Sequence, residues 1–178
     1  LTDNVDPVFT TTPAAFSSLC SSPTLAADIT AWLATAAATD NCGNVTITND
    51  YNAANLPTSG CGAITITFTA TDECGNDATV TSTITLTDNV DPVFTTTPAA
   101  FSSLCSSPTL AADITAWLAT AAATDNCGNV TITNDYNAAN LPTSGCGAIT
   151  ITFTATDECG NDATVTSTIT LTDNVDPV

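Results

Sequence analysis

The chain has 178 residues, 18 Asp plus Glu, eight Cys, no Lys, Arg or His, and a formal charge of −18. With no cationic side chain it cannot neutralise a phosphate backbone or clamp an anionic substrate, which excludes nucleic acid as a direct partner. Only carboxylates, hydroxyls, thiols and two tyrosines remain for chemistry, and most enzyme classes are excluded with the missing bases. The acidity is not that of a disordered tail, because 43% of the residues are hydrophobic and only 10% are charged, for a mean hydropathy of +0.23. No apolar run approaches the roughly 18 residues of a membrane span. Neither a signal peptide nor a start Met is present, so the sequence reads as part of a longer chain.

Self-similarity dominates the sequence. Leu1 to Thr85 recurs without a change as Leu86 to Thr170, and Leu171 to Val178 opens a third copy. A solenoid repeat is much shorter and cannot bury its apolar face alone, whereas this period falls in the size range of small independent domains. The expected organisation is repeat 1 at 1–85, repeat 2 at 86–170 and the start of a third at 171–178.

Within one repeat, Val8 to Cys20 reads as extended, interrupted at Pro13, with Phe9, Phe16 and Leu19 toward the core. From Pro23 to Thr39 the apolar residues Leu25, Ile29, Trp32, Leu33 and Ala36 fall on one helical face. Ser22 suits the N-cap, Pro23 the first helical position, and Asp28 the positive end of the helix dipole. Asn44 to Asn49 alternates Val45 and Ile47 with Thr46 and Thr48, the pattern of a strand with one wet face, and Asn52 to Gly60 reads as a loop. Ala63 to Thr71 and Ala78 to Thr87 alternate threonine with apolar residues, and Asp72 to Asp77 between them has hairpin-loop chemistry. The expected fold is mainly β, a tandem of immunoglobulin-like β-sandwiches, each with one inserted α-helix.

Four cysteines per repeat without zinc-type spacing or histidine point to disulfides in an oxidising compartment. Following strand polarity from an entry at the top, Cys20 and Cys61 fall at the bottom of the unit, and Cys42 and Cys74 at its top. Of three possible connectivities this favours Cys20–Cys61 with Cys42–Cys74, and Cys105–Cys146 with Cys127–Cys159 in the second copy. The same polarity gathers Asp3, Asp6, Asp40, Asp72, Glu73 and Asp77 at the top, and leaves Asp28 and Asp50 low. In the second copy the top set is Asp88, Asp91, Asp125, Asp157, Glu158 and Asp162, which Asp28 and Asp50 are expected to join at the junction. Carboxylates crowded without a cationic side chain disfavour one another's ionisation. Ca²⁺, which takes 6–8 oxygen ligands in flexible geometry, fits such a set. The competing reading is a group of solvated turn residues, and no EF-hand string is present.

Trp32-Leu33, Ala38-Thr39-Asp40-Asn41-Cys42-Gly43, Asn49-Asp50-Tyr51 and Thr67 through Asn76 resemble the hyalin-type, immunoglobulin-like repeats of giant Bacteroidetes surface adhesins, the gliding-motility type included. The resemblance covers the whole repeat. Asp3-Asn4-Val5-Asp6-Pro7-Val8-Phe9 is similar to the calcium-binding linker of cadherins, with Val5 inserted between Asn4 and Asp6. These resemblances imply an extracellular or secreted stalk, adhesin shaft or filament, whose partners are neighbouring repeats of the same chain or filament.

Two other functions compete with that structural reading. The threonine rows Thr65, Thr67, Thr69, Thr71 and Thr79 through Thr87 offer a face for surface glycans or ice, against the plainer reading that threonine suits a wet sheet face. Asn44-Val45-Thr46 matches the N-glycosylation pattern. Catalysis would need a carboxylate pair such as Asp40 and Asp72 acting as acid and base, and such pairs at a domain edge are far more often cation ligands or turns. The expectation is a chain that is not an enzyme.

Overall fold

The computed structural model of the chain describes residues 3–143 and 146–175. The expected opening of a third copy, 171–178, lies partly outside them. The chain divides into two compact units, Leu1–Asn89 and Val90–Val178. They are offset by a few residues from the repeat as counted from Leu1, because the last strand of the first unit continues through Leu86 and Thr87.

In the first unit the extended segment is two strands, β1 (Val8–Thr11) and β2 (Phe16–Leu19), which enter different sheets. Pro13, which cannot donate to a ladder, lies between them. Helix α1 follows at Leu25–Leu33. It is shorter than the expected Pro23–Thr39. Thr24, not Ser22, is its N-cap, and it closes at Ala34, whose N–H donates to the Thr30 carbonyl while the Thr35 N–H donates to that of Trp32. Ala37–Thr39 instead forms strand β3, antiparallel to β1 with Val8 opposite Thr39. Alanine is the best intrinsic helix former, but propensity is a small energy per residue, and pairing with a distant strand overrides it.

Strands β4 (Thr46–Asn49), β5 (Gly62–Thr71) and β6 (Asp77–Thr87) complete a four-stranded sheet in the order β2-β6-β5-β4, facing the two-stranded β1-β3. The loop before β5 holds a short 3-10 turn at Ala53–Asn55. β5 and β6 pair antiparallel from Gly62 opposite Leu86 to Thr71 opposite Asp77, whereas β2 runs parallel to β6. Alternation sorts the faces: Ile66, Phe68, Ile84 and Leu86 are buried with Ile29 of α1, and the threonines between them turn outward. Trp32 lies edge-on to Phe68 with ring centroids 5.6 Å apart, and its Nε1 donates to the carbonyl of Ala14 at 2.6 Å. The helix is thereby fixed to both the sheet and the β1–β2 connection, with the aromatic contact adding about 0.5–1.5 kcal/mol to the area buried.

The second unit repeats this plan. β7 (Val93–Thr96) pairs with β9 (Ala122–Thr124), and β10 (Val130–Asn134), β11 (Gly147–Asp157), β12 (Asp162–Thr172) and β8 (Phe101–Leu104) form the larger sheet. Helix α2 (Leu110–Leu118) places Ile114 and Trp117 against Ile151, Phe153, Ile169 and Leu171. Each unit is therefore the expected mainly β sandwich with one helix.

Candidate metal centre

Three chain segments meet at one end of the first unit. β3 ends at Thr39 and delivers Asp40, β5 ends at Thr71 and delivers Asp72, and the segment entering β1 carries Asp3. Carboxylate oxygens from these three residues lie within 4.8 Å of one another.

Asp72 is the fixed member, only 6% exposed. Its Oδ1 accepts the backbone N–H groups of Cys74 and Asn76 at 2.8 and 2.9 Å, and its Oδ2 accepts Asn76 Nδ2 at 2.7 Å. The turn closes through Gly75 at φ 89°, a conformation that glycine adopts without a steric cost. The side chain of Asn76 holds the Asp72 carboxyl below its ordinary range; burial opposes this, and the backbone N–H groups of Asn76, Cys74 and Gly75 reinforce it. Asp40 Oδ2 accepts the Cys42 N–H at 2.8 Å. Asp3 Oδ1 accepts the Val5 N–H at 3.1 Å, and its backbone carbonyl accepts Asn76 Nδ2 at 3.3 Å. Asp3 Oδ2 is buried with no hydrogen-bond partner.

A buried carboxylate oxygen without a donor, beside two further carboxylates, needs a positive charge. No side chain of this protein supplies one. The donor set is all oxygen, which suits a hard cation such as Ca²⁺ better than a thiophilic metal. The residues present therefore fit that ion, with Asp3, Asp40 and Asp72 to hold it.

The other expected ligands of the first unit stand apart from this trio. Glu73 turns to Asn44, whose Nδ2 donates to its Oε1 at 2.9 Å, and Asp6 and Asp77 are exposed. Gly43 lies beside Glu73 at φ 102°, where a Cβ would meet the Glu73 carboxyl carbon at 3.4 Å. Asp28 accepts from Thr24 Oγ1 at 2.7 Å. Asp50 is not at the low end: it accepts the Thr67 N–H at 2.8 Å, halfway along β5, because the chain leaving β4 folds back beside that strand. Asn76, within the hairpin loop expected at Asp72 to Asp77, ties Asp72 to Asp3, a role the sequence reading did not assign. The Asp-x-x-x-Asn spacing across a glycine turn is the signal that carried it.

In the second unit Asp157 is 5% exposed and accepts the same donors, from Cys159 N, Asn161 N and Asn161 Nδ2, at 2.7–2.8 Å. Burial pushes its carboxyl up, and the Asn161 side chain with the N–H groups of Asn161, Cys159 and Gly160 outweighs that push, so the net shift is downward. Asp125 accepts the Cys127 N–H at 2.8 Å, and Glu158 accepts from Asn129 at 3.4 Å. Of the other expected ligands of the second copy, Asp88, which falls within the first unit, is half-buried, and Asp91 and Asp162 are exposed.

Cys20, Cys61, Cys127 and Cys159 are disulfide-bonded. Cys42, Cys74 and Cys105 are thiols, so the expected Cys42–Cys74 and Cys105–Cys146 bonds are not formed in this structure. At exposed Cys42 the charge of Asp3, then slight desolvation, then a hydrogen bond to the Asp3 carboxylate, then Asp40 and Cys74 raise the thiol above its usual range. That suppresses the thiolate, the species that enters disulfide exchange.

The threonine rows are in register on the outer sheet face, with Thr65, Thr67 and Thr69 opposite Thr83, Thr81 and Thr79, and with Thr48 opposite Thr69 on the other side. Among the described residues no helix is long and apolar enough to cross a membrane.

A family described as bacterial Ig-like domain matches the chain twice, over residues 34–89 and 119–174. No curated protein matches it. Among solved structures the chain is similar to human Protocadherin-24 EC1-2, at 12% identity over 97% of this chain and 100% of that one, with a TM-score of 0.39. It is similar to Protocadherin Gamma B2 extracellular cadherin domains 1-5, at 14% identity over 99% of this chain and 42% of that one, with a TM-score of 0.42. Mouse Cadherin-23 EC22-24 gives 12% identity over 95% and 65%, with a TM-score of 0.37. The chain spans 44% of the matching Drosophila N-cadherin fragment. Superpositions this loose carry no argument about ligand or partner.

Proposed function

We propose, because the chain belongs to the bacterial Ig-like domain family, that it is a non-catalytic repeat of an extracellular stalk, adhesin shaft or filament stiffened by calcium. The finer kinship with hyalin-type Bacteroidetes repeats belongs to this proposal, and so do the partners, which are further copies of the same unit. Supporting it are an unbroken repetition of one domain with no added site and a composition without His, Lys or Arg.

The observation that carries the calcium reading is the buried, unpartnered Oδ2 of Asp3 beside Asp40 and Asp72. Asp3 belongs to the segment that enters the unit, whereas Asp40 and Asp72 belong to its body. A cation bound to all three pins the entering chain and removes freedom from the linker. By sequence the counterparts of Asp40 and Asp72 in the second copy are Asp125 and Asp157. The proposal extends to disulfides Cys20–Cys61, Cys42–Cys74, Cys105–Cys146 and Cys127–Cys159, all closed outside the cell.

Calorimetric titration of the chain with CaCl₂, together with melting in calcium and in chelator, tests this reading. Calcium at about 100 times its dissociation constant adds roughly 2.7 kcal/mol to a unit that binds one ion, a rise in Tm on the order of 10 °C. Asp40→Asn with Asp125→Asn should abolish most of that rise while leaving the chelated protein at least as stable, because a like charge is removed from the cluster. Absence of binding heat together with identical melting in calcium and chelator would sink the calcium reading.

A further inference from the structure

Force along a tandem chain enters a unit at one end and leaves it at the other, and strand direction decides how the hydrogen bonds meet it. In the first unit β2 lies parallel to the last strand, with Phe16 beside Ile84 and Leu19 beside Thr87. The pairing continues past the strand end, where Cys20 N–H donates to the Thr87 carbonyl at 3.0 Å. Tension arriving upstream of β2 and leaving downstream of β6 pulls two parallel neighbours in opposite directions along their length. Their ladder bonds are then strained together, in shear. The β5–β6 hairpin is the opposite case: Gly62 is the register partner of Leu86, so tension applied at those two residues opens the ladder one bond at a time. The second unit has the same arrangement, with Phe101 beside Ile169, Leu104 beside Thr172, and Cys105 N–H donating to the Thr172 carbonyl at 3.0 Å.

Cys20 follows directly on β2, and Cys61 stands directly before β5. We propose that each unit is a mechanical clamp with a length limiter, in which the parallel β2–β6 pair, or β8–β12 in the second unit, sets the opening force and the Cys20–Cys61 bond, or Cys105–Cys146 once it is oxidised outside the cell, restricts how far the opened unit extends. The inference rests on the stalk reading for its place outside the cell, and its physics does not require calcium. Once β2 is stripped from β6, the bond passes the tension to Gly62 beside Leu86, and the remainder unzips in the same event. A closed bond keeps about 40 of the roughly 80 residues from Val8 to Thr87 out of the force path, withholding roughly 140 Å of contour length. The Cys42–Cys74 pair lies off the shortest covalent route, which runs from Cys61 straight on to Cys74, so its state leaves the extension unchanged.

The test is single-molecule pulling of the 178-residue chain by its two ends, in chelator, oxidised and then reduced. Two rupture events are expected, with the length released in each about doubling on reduction. Substitution of all eight cysteines by Ala should reproduce the doubled length in oxidising buffer, since Cys20→Ala and Cys61→Ala alone would leave Cys42–Cys74 to withhold about 31 residues, and reduction of the unmodified chain supplies the same reading if that variant does not fold. Cys42→Ala and Cys74→Ala with Cys127→Ala and Cys159→Ala should retain the short increment. Equal increments in oxidised and reduced chain, or doubling caused by the second variant set, would overturn the limiter. Extension without resolved ruptures would overturn the clamp. Because chelator is present throughout, none of these outcomes bears on calcium binding, and a failed calcium titration leaves them standing.

Discussion

Asp72 keeps its charge in a place that excludes most of the water, because Asn76 and the N–H groups of its own turn satisfy the carboxylate. Its folded-state pKa is depressed, so the stability it contributes is fully present above the unfolded value of about 3.9 and is lost as pH falls through the lower folded value. Asp157 acts in the same direction. Melting from pH 5 down to pH 2 should show Tm falling across that window. Asn76→Ala should raise the Asp72 pKa, move the acid limb of the curve to higher pH, and lower the Tm of that unit at neutral pH by roughly 5–10 °C through the lost charge-assisted bonds. Proton titration followed by NMR reads the pKa directly. At this scale the sequence was only partly legible. Strand polarity brings Asp3, Asp40 and Asp72 to one end, but nothing in a run such as Asp72-Glu73-Cys74-Gly75-Asn76-Asp77 tells which carboxylate turns inward. That choice is made by Gly75 and by the amides it aims at Asp72.

Among the elements, β5 carries the core of its unit through Phe68, which is completely buried and lies against Trp32. Phe68→Ala removes that contact and leaves a cavity, at a cost of about 3–5 kcal/mol. Domains of this size have only about 4–13 kcal/mol in total. With Phe153 intact in the second unit, urea unfolding of the single variant should separate into two transitions where the parent shows one. The long alternating strands and the existence of a helix were readable because both periods are local. The end of the helix was not, since Ala37–Thr39 becomes β3 only through β1, and the parallel partnership of β2 with β6 spans nearly the whole unit. Pro13 marked the break between β1 and β2, but a break does not say that the two halves join different sheets.

For the molecule as a whole, covalent closure is a large share of stability. A bridge spanning about 40 residues contributes roughly 4 kcal/mol in the chain-entropy account, comparable with the Phe68 contact. Full reduction should therefore shift the urea midpoint at least as far as Phe68→Ala does, with the shift measured at matched protein concentration. No Lys or Arg occurs anywhere in the sequence, so trypsin-type proteases have no site even in the unfolded chain.

The parallel β2–β6 pair also governs the order in which the protein is made. β2 emerges early from the ribosome and must wait for β6, about 65 residues later, before its edge is covered. By then synthesis is approaching β8, which has the same sequence as β2 and fits the same slot. Perfect repetition thus gives every unit a rival for its own closing strand. Early β2 pairing, before the copy is complete, is what keeps one bead from being threaded by the next.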